Sequence, residues 1–193
     1  MCHNSRMKRA IILHGKPSKD KHYDPKYPSP SNNHWVPWLS KQLITRDILA
    51  VAPEIPHAYE PKYDIWKKEV ERFEIDQDTT LVGHSCGGGF WVRYLSENNG
   101  LRVGKVALVA PSLGISWEDR SFFDFEIDPN LVSRTNGIYI FTSDNDMEST
   151  QKSAKMLADT IKGAELISLP NHGHFRIEEM GTVEFPELLE KLL

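Results

Sequence analysis

The sequence is poor in cysteine and contains no long apolar run. Its two cysteines, Cys2 and Cys86, are too few for a disulfide framework and are typical of a reducing compartment. A membrane-spanning helix needs about 18 consecutive apolar residues, and no segment approaches that length. Residues 1–15 also lack the pattern of a signal peptide. We therefore expect a cytoplasmic protein that does not bind membranes.

An excess of positive charge is also absent. The chain has 23 Lys and Arg residues against 27 Asp and Glu residues, and its formal net charge is −4. This balance gives no electrostatic basis for binding nucleic acid or an anionic membrane surface. The hydrophobic content of 39% and the charged content of 26% are ordinary for a globular domain, and a length of 193 residues suits one. We expect a single domain over residues 1–193.

Short apolar segments alternate along the chain with segments whose apolar residues recur at helical spacing. The apolar segments predict strands at residues 8–13, 47–52, 79–82, 103–110, 138–141 and 165–169. The periodic segments predict helices at residues 34–44, 61–73, 90–95, 149–161 and 185–193. Residues 16–33 and 112–136 have no such period, and we expect surface loops there. Strands that alternate with helices indicate an α/β fold with a parallel sheet covered on both faces.

The segment Gly83-His84-Ser85-Cys86-Gly87 stands between a predicted strand and a predicted helix. A strand, the pattern G-x-S-x-G and a helix in this order predict a nucleophile elbow. We expect glycine at both ends because the tight turn crowds the backbone and imposes unusual dihedral angles. The alternative is a glycine-rich turn that cradles a phosphate or serves close packing. We predict that Ser85 is a catalytic nucleophile.

A serine hydroxyl needs a base to take its proton, and the base needs a carboxylate to orient it. In α/β hydrolases the chain order is serine, acid and histidine. The loop after the fifth predicted strand contains Asp144 and Asp146, and the loop after the sixth contains His172 and His174. We predict Asp146 as the acid and His174 as the base of Ser85. Asp144 and His172 remain the alternatives.

An oxyanion hole needs two N–H groups directed at the developing negative charge. The backbone of Cys86, which follows the predicted nucleophile, is expected to supply one of them. The loop after the first strand is expected to supply the other, from the N–H of Lys16 or, alternatively, of Gly15. We interpret His14 as a structural loop residue and His84 as a side chain that packs beside the site.

The eight histidines also raise the possibility of a metal site. The pair His172 and His174 would need further ligands such as His14, Asp144 or Asp146. The sequence contains neither an H-E-x-x-H motif nor a cysteine pair, which are the usual signatures of a zinc site. We therefore predict a reaction that uses neither a metal ion nor an organic cofactor.

The motif G-H-S-C-G-G after a strand, the loop S-D-N-D, the late motif G-H-F and a length below two hundred residues form a recognisable set. Together they resemble the retinoblastoma-binding-protein-nine-like (YdeN-type) small serine hydrolases of the α/β-hydrolase superfamily. The resemblance implies a compact α/β-hydrolase fold of six parallel strands in the order 2-1-3-4-5-6, without a large cap domain. It also implies a catalytic triad of Ser85, Asp146 and His174, and activity on esters.

The sequence thus favours a serine hydrolase, most simply a carboxylesterase whose substrate is a small acyl ester. Thioesterases, amidases and acyltransferases can use the same residues. A hypothesis from another class is a non-catalytic module that binds a partner protein through residues 16–33 and 112–136 on a hydrolase scaffold. No feature of the sequence indicates a protein partner, and an intact set of catalytic residues disfavours this alternative.

Overall fold

A computed structural model describes residues 7–193, and Cys2 lies outside this part of the chain. The described residues form one sheet in which every neighbouring pair of strands is parallel. The strand order is β2-β1-β3-β4-β5-β6, as the family resemblance implied. The strands are β1 (Arg9–Leu13), β2 (Leu49–Val51), β3 (Thr79–His84), β4 (Val106–Val109), β5 (Ile138–Ser143) and β6 (Glu165–Leu169).

Helices connect the strands and follow the last one. They are α1 (Lys19–Tyr23), α2 (Val36–Ile44), α3 (Tyr63–Val70), α4 (Cys86–Glu97), α5 (Glu148–Thr160), α6 (Ile177–Met180) and α7 (Pro186–Leu192). The prediction of an unbroken loop over residues 16–33 was wrong, because α1 and a short 3-10 turn at Pro30–Asn32 lie within it. Within residues 7–193 no helix is both long and apolar enough to cross a bilayer.

Apart from its edge strands, the sheet is buried on both faces, which confirms the predicted layered architecture. Successive side chains of β1 point to opposite faces, because a strand has a period of two residues. Ile11 and Leu13 pack with buried residues of α3, α4 and α5. Ala10 and Ile12 pack with buried residues of α2 and α7. Residues 111–137, between β4 and β5, contain only short 3-10 turns, so no large cap domain is inserted there.

The strand boundaries differ from the predicted ones where backbone pairing decides them. The strand predicted at 47–52 begins only at Leu49, because Asp47 has a left-handed φ of 60° and its N–H bonds to the carbonyl of Ile44. The strand predicted at 79–82 continues through Gly83 and His84, which pair with β4. This extension carries β3 directly to Ser85.

Candidate active site

Ser85 stands at the junction of β3 and α4 in a strained conformation. Its φ of 54° and ψ of −115° are outside the regions that non-glycine residues favour. The expected unusual dihedral angles therefore belong to the serine and not to the flanking glycines. Gly83 and Gly87 have ordinary φ values and are required by close contact instead. A Cβ on Gly83 would lie 2.5 Å from the backbone of Gly87, and one on Gly87 would lie 2.6 Å from the carbonyl oxygen of His14.

Replacing Gly83 with alanine is expected to destabilise the fold, because the new methyl group would meet backbone atoms that cannot rotate away. We expect the free energy of unfolding to fall by about 1–3 kcal/mol or more, the usual cost of overpacking. Gly100→Ala is the matched control, since a Cβ there has no atom within 4 Å. Urea denaturation of both variants measures the difference. Equal stabilities would contradict the assigned role of Gly83.

The side chains of Ser85, His174 and Asp146 form a continuous chain of hydrogen bonds. The hydroxyl of Ser85 donates to Nε2 of His174 over 2.9 Å. Nδ1 of His174 lies 3.0 Å from Oδ1 and 3.1 Å from Oδ2 of Asp146, and because a carboxylate can only accept, Nδ1 carries the proton. The side chain of Asp146 is fully buried and that of His174 is 11% exposed. This tautomer leaves Nε2 free to take a proton from Ser85.

The two alternative residues lie elsewhere. Asp144 is exposed, and its carboxylate accepts the N–H of Asn171 over 2.8 Å. His172 donates from Nδ1 to the carbonyl of Pro170 over 2.7 Å, and its ring packs against Phe175. Neither side chain is hydrogen-bonded to the side chains of Ser85, His174 or Asp146. The geometry therefore brings Asp146 and His174, the predicted acid and base, together with Ser85.

The loops that carry Asp146 and His174 are fastened to each other by three side chains. Residues 143–145 accept hydrogen bonds from consecutive N–H groups of residues 171–173. The pairs are Asp144 with Asn171 (2.8 Å), Ser143 with His172 (2.9 Å) and Asn145 with Gly173 (2.7 Å). Sequence reasoning considered the aspartates of this loop as the catalytic acid or as helix-cap and turn residues, and it did not predict these bonds. The dense run of small polar residues S-D-N is the signal that could have indicated the fastening.

Two backbone N–H groups close to Ser85 have no acceptor in the described part of the chain. One belongs to Cys86, which follows Ser85 at the first position of α4, and the other to Lys16, which lines the same cavity as Ser85. The carbonyl of Gly15 accepts from Nδ1 of His14 over 2.7 Å. Because C=O and N–H point in opposite directions across a trans peptide, this bond turns the Lys16 N–H away from His14. Gly15 itself lies against Ser85, where an added Cβ would be 3.1 Å from the serine Cβ.

His14 and His84 are almost fully buried, as their interpreted roles require. Nε2 of His14 accepts the N–H of Ile55 over 3.1 Å, and Nε2 of His84 donates to the carbonyl of His174 over 2.8 Å. Burial lowers the pKa of His14, although its bond to Gly15 and the charge of Glu54 oppose the effect. Burial and the neighbouring His174 lower the pKa of His84 well below its usual value. Both rings are therefore neutral near pH 7.

These lowered pKa values make the stability depend on pH in a defined direction. Below about pH 6.5 the unfolded chain protonates both histidines while the folded chain does not, so acid favours unfolding. We expect the urea midpoint to be highest above about pH 6.5 and to fall as the pH approaches about 5.5. His84→Gln keeps the donor to His174 and should make this fall shallower. His57→Gln changes an exposed residue and is the control. An unchanged slope in His84→Gln would contradict the role of burial.

The backbone of His174 is held by a residue that sequence reasoning missed. Glu179 in α6 accepts the His174 N–H over 2.6 Å and forms an ion pair with Arg176. Burial alone would raise the pKa of Glu179, but the bonds from Arg176 and His174 outweigh it and lower this pKa. Helix α6 is too short to give a periodic signal in the sequence.

Within residues 7–193, no group of three or more His, Cys, Asp or Glu side chains could hold a metal ion.

Residues 25–193 match the family described as serine hydrolase. YdeN of Bacillus subtilis (strain 168), which is named as a hydrolase, is 26% identical over 196 residues, covering 96% of this chain and 94% of YdeN. The crystal structure of the ydeN gene product from B. subtilis has a TM-score of 0.76 at 24% identity and covers 95% of both chains. XC6422 of Xanthomonas campestris, described as an α/β serine hydrolase without lid, has a TM-score of 0.58 at 15% identity, covering 96% of this chain and 79% of that one. The fold is thus that of the α/β hydrolases.

Proposed function

Because the chain belongs to the serine hydrolase family, we propose that it is a carboxylesterase that cleaves small acyl esters. The observation that carries this proposal is the hydrogen-bonded chain from Ser85 through His174 to Asp146. A serine that donates directly to a correctly oriented imidazole is an activated nucleophile. A scaffold that only binds a partner protein has no need of this arrangement, so the contact favours an enzyme over the binding module.

In the proposed reaction, the Oγ of Ser85 attacks the ester carbonyl carbon while Nε2 of His174 takes its proton. The N–H groups of Cys86 and Lys16 stabilise the oxyanion that forms on the carbonyl oxygen. His174 then passes the proton to the leaving alcohol, and the bond between carbonyl carbon and alcohol oxygen breaks. Water, deprotonated by His174, attacks the acyl-enzyme, and the proton returns to Ser85 as the acid leaves. Asp146 holds the imidazole and stabilises its cation throughout.

The preference for small substrates rests on the size of the cleft. A cavity of about 240 Å³ opens beside Ser85 and His174. This is slightly below the volume of about 300 Å³ at which pockets for drug-sized ligands begin.

The free thiol of Cys86 lies buried behind the elbow, and burial raises its pKa, so it is not a competing nucleophile. Cytoplasmic location and action without a protein partner remain part of the proposal, based on the composition alone.

A panel of chromogenic substrates tests the ester preference. The 4-nitrophenyl esters of acetate, butyrate and decanoate are compared with the matching butyryl thioester and butyryl anilide. We expect the highest kcat/KM for the short esters, with the anilide slowest. A folded protein that releases no product from any ester above the buffer rate would contradict the proposal. A higher kcat/KM for the thioester or the anilide would replace the carboxylesterase assignment with that class.

A further inference from the structure

The cleft beside Ser85 has an unusual charge for a chain with a net charge of −4. Its charged lining residues are Lys16, Lys21 and Arg176, and no Asp or Glu side chain lines it within the described residues. The histidines that line it include His14 and His84, which are neutral near pH 7. Acidic residues outnumber basic ones in the chain as a whole, whereas the Lys and Arg residues of the cleft lining have no acidic counterpart there.

Aromatic rings, and not carboxylates, hold the two lysines of the cleft. The ammonium of Lys16 lies 4.6 Å from the ring centroid of Trp117. The ammonium of Lys21 lies 4.5 Å from the ring centroid of Tyr27 and donates to its hydroxyl over 3.1 Å. Among the described residues no carboxylate lies within salt-bridge distance of either nitrogen. A ring positions a cation without neutralising it, so both charges remain available to a ligand.

Arg176 contributes a third cation two residues after His174. Its guanidinium is ion-paired with Glu179, which also holds the His174 backbone. The Nε of Arg176 is nevertheless buried without a hydrogen-bond partner among the described residues. Glu179 therefore compensates one positive charge and holds the guanidinium in place. Among the lining residues, the lysines leave an excess of two positive charges, while the carboxylates of Glu54 and Glu178 lie outside the lining, 3.7 Å from His14 and 3.8 Å from His34.

His34 also lines the cleft, next to the segment that carries Arg176. Its Nδ1 accepts the N–H of Ile177 over 3.2 Å. Burial lowers the pKa of His34, the charge of Glu178 opposes this, Arg176 and Lys21 lower the pKa further, and Glu179 opposes them. Two cations and two carboxylates therefore act on this ring, but only the cations, Arg176 and Lys21, line the cleft.

We propose that the physiological substrate of this site is an ester that carries a negatively charged group, which Lys16, Lys21 and Arg176 attract into the cleft beside Ser85. This inference rests on the proposed esterase function and narrows its substrate class. The anionic group lies on the acyl or the alcohol side, at a distance from the scissile bond that lets it contact the lysines. Attraction by fixed charges raises kcat/KM chiefly through faster association and tighter binding.

Two matched pairs of esters test the proposal, one for each side of the scissile bond. Mono-4-nitrophenyl adipate is compared with its methyl ester, and 4-acetoxyphenylacetate is compared with its methyl ester. Within each pair the reacting group is the same and only the remote charge differs. We expect kcat/KM of the anionic member to exceed that of the neutral one by about fivefold or more in at least one pair. This ratio should shrink in about 0.5 M KCl, because salt screens the attraction.

Lys21→Met tests whether the cleft lysine causes the preference. We expect this variant to lower the ratio of anionic to neutral kcat/KM severalfold. Lys26→Met is the control, since Lys26 is exposed on the same segment and does not line the cleft. Equal or lower kcat/KM for both anionic esters, with the neutral esters still hydrolysed, would overturn the substrate class and leave the esterase proposal intact. Failure to hydrolyse any of the four esters would contradict both.

Discussion

Replacing Ser85 with alanine is expected to lower kcat for short 4-nitrophenyl esters by a factor of about 10⁵ or more. The loss is large because the attacking oxygen itself is removed, and neither His174 nor the oxyanion donors can replace it. Cys86, the adjacent residue, offers no substitute because its thiol is buried and protonated. Residual activity would then come only from binding and the oxyanion donors.

The measurement is a progress curve at high enzyme concentration, with circular dichroism and urea denaturation as checks on the fold. Alanine meets the same constraint as serine at a φ of 54°, so the backbone is not expected to change. A folded Ser85→Ala protein that retained more than about one hundredth of wild-type kcat would contradict the assignment of Ser85 as nucleophile.

Asp146→Asn is expected to lower kcat by a factor of about 10⁴ while the protein remains folded. The carboxylate Oδ1 accepts the N–H of Met147 over 2.6 Å, and an asparagine carbonyl can keep that bond. The new amide nitrogen then faces Nδ1 of His174 and donates to it. The proton of the imidazole must move to Nε2, which can no longer accept from Ser85. The loss therefore arises from the wrong tautomer rather than from a changed position.

Asp144→Asn is the matched control two residues earlier in the same loop. The Asp144 side chain is exposed, and among residues 7–193 it accepts only the N–H of Asn171, a bond that an asparagine oxygen can also accept. We expect kcat to stay within a factor of about three of the wild type. If Asp144→Asn were as inactive as Asp146→Asn, or if Asp146→Asn were nearly as active as the wild type, the acid would be misassigned.

Much of the fold was predictable because its signals are local. A parallel sheet buried on both faces produces continuous apolar strands, and the strands near Ser85 and Asp146 are of this kind. The candidate site followed from the sheet, because loops at the carboxyl ends of parallel strands meet at one edge. The position of His174 after β6 could therefore be predicted without any long-range information, although β6 lies at the sheet edge and is largely exposed.

The features that could not be predicted depend on contacts between distant parts of the chain. Helix α1 is five residues long and has no buried residue, so it gives no hydrophobic period. The bond between Glu179 and the backbone of His174 depends on the left-handed φ of 56° at Phe175, which turns the chain back. The cations of the cleft come from sequence positions as distant as Lys16 and Arg176. No local pattern places such residues together.

Reaction with a fluorophosphonate probe, followed by the intact mass of the protein, tests most directly whether Ser85 is activated. We predict a single covalent adduct on the wild type, no adduct on Ser85→Ala and a strongly slowed reaction on His174→Ala. The phosphonate reacts only with a nucleophile that a base has activated, so the result does not depend on knowing the substrate. A folded wild-type protein that forms no adduct, or an adduct that persists on Ser85→Ala, would contradict the assignment of an activated serine to this site.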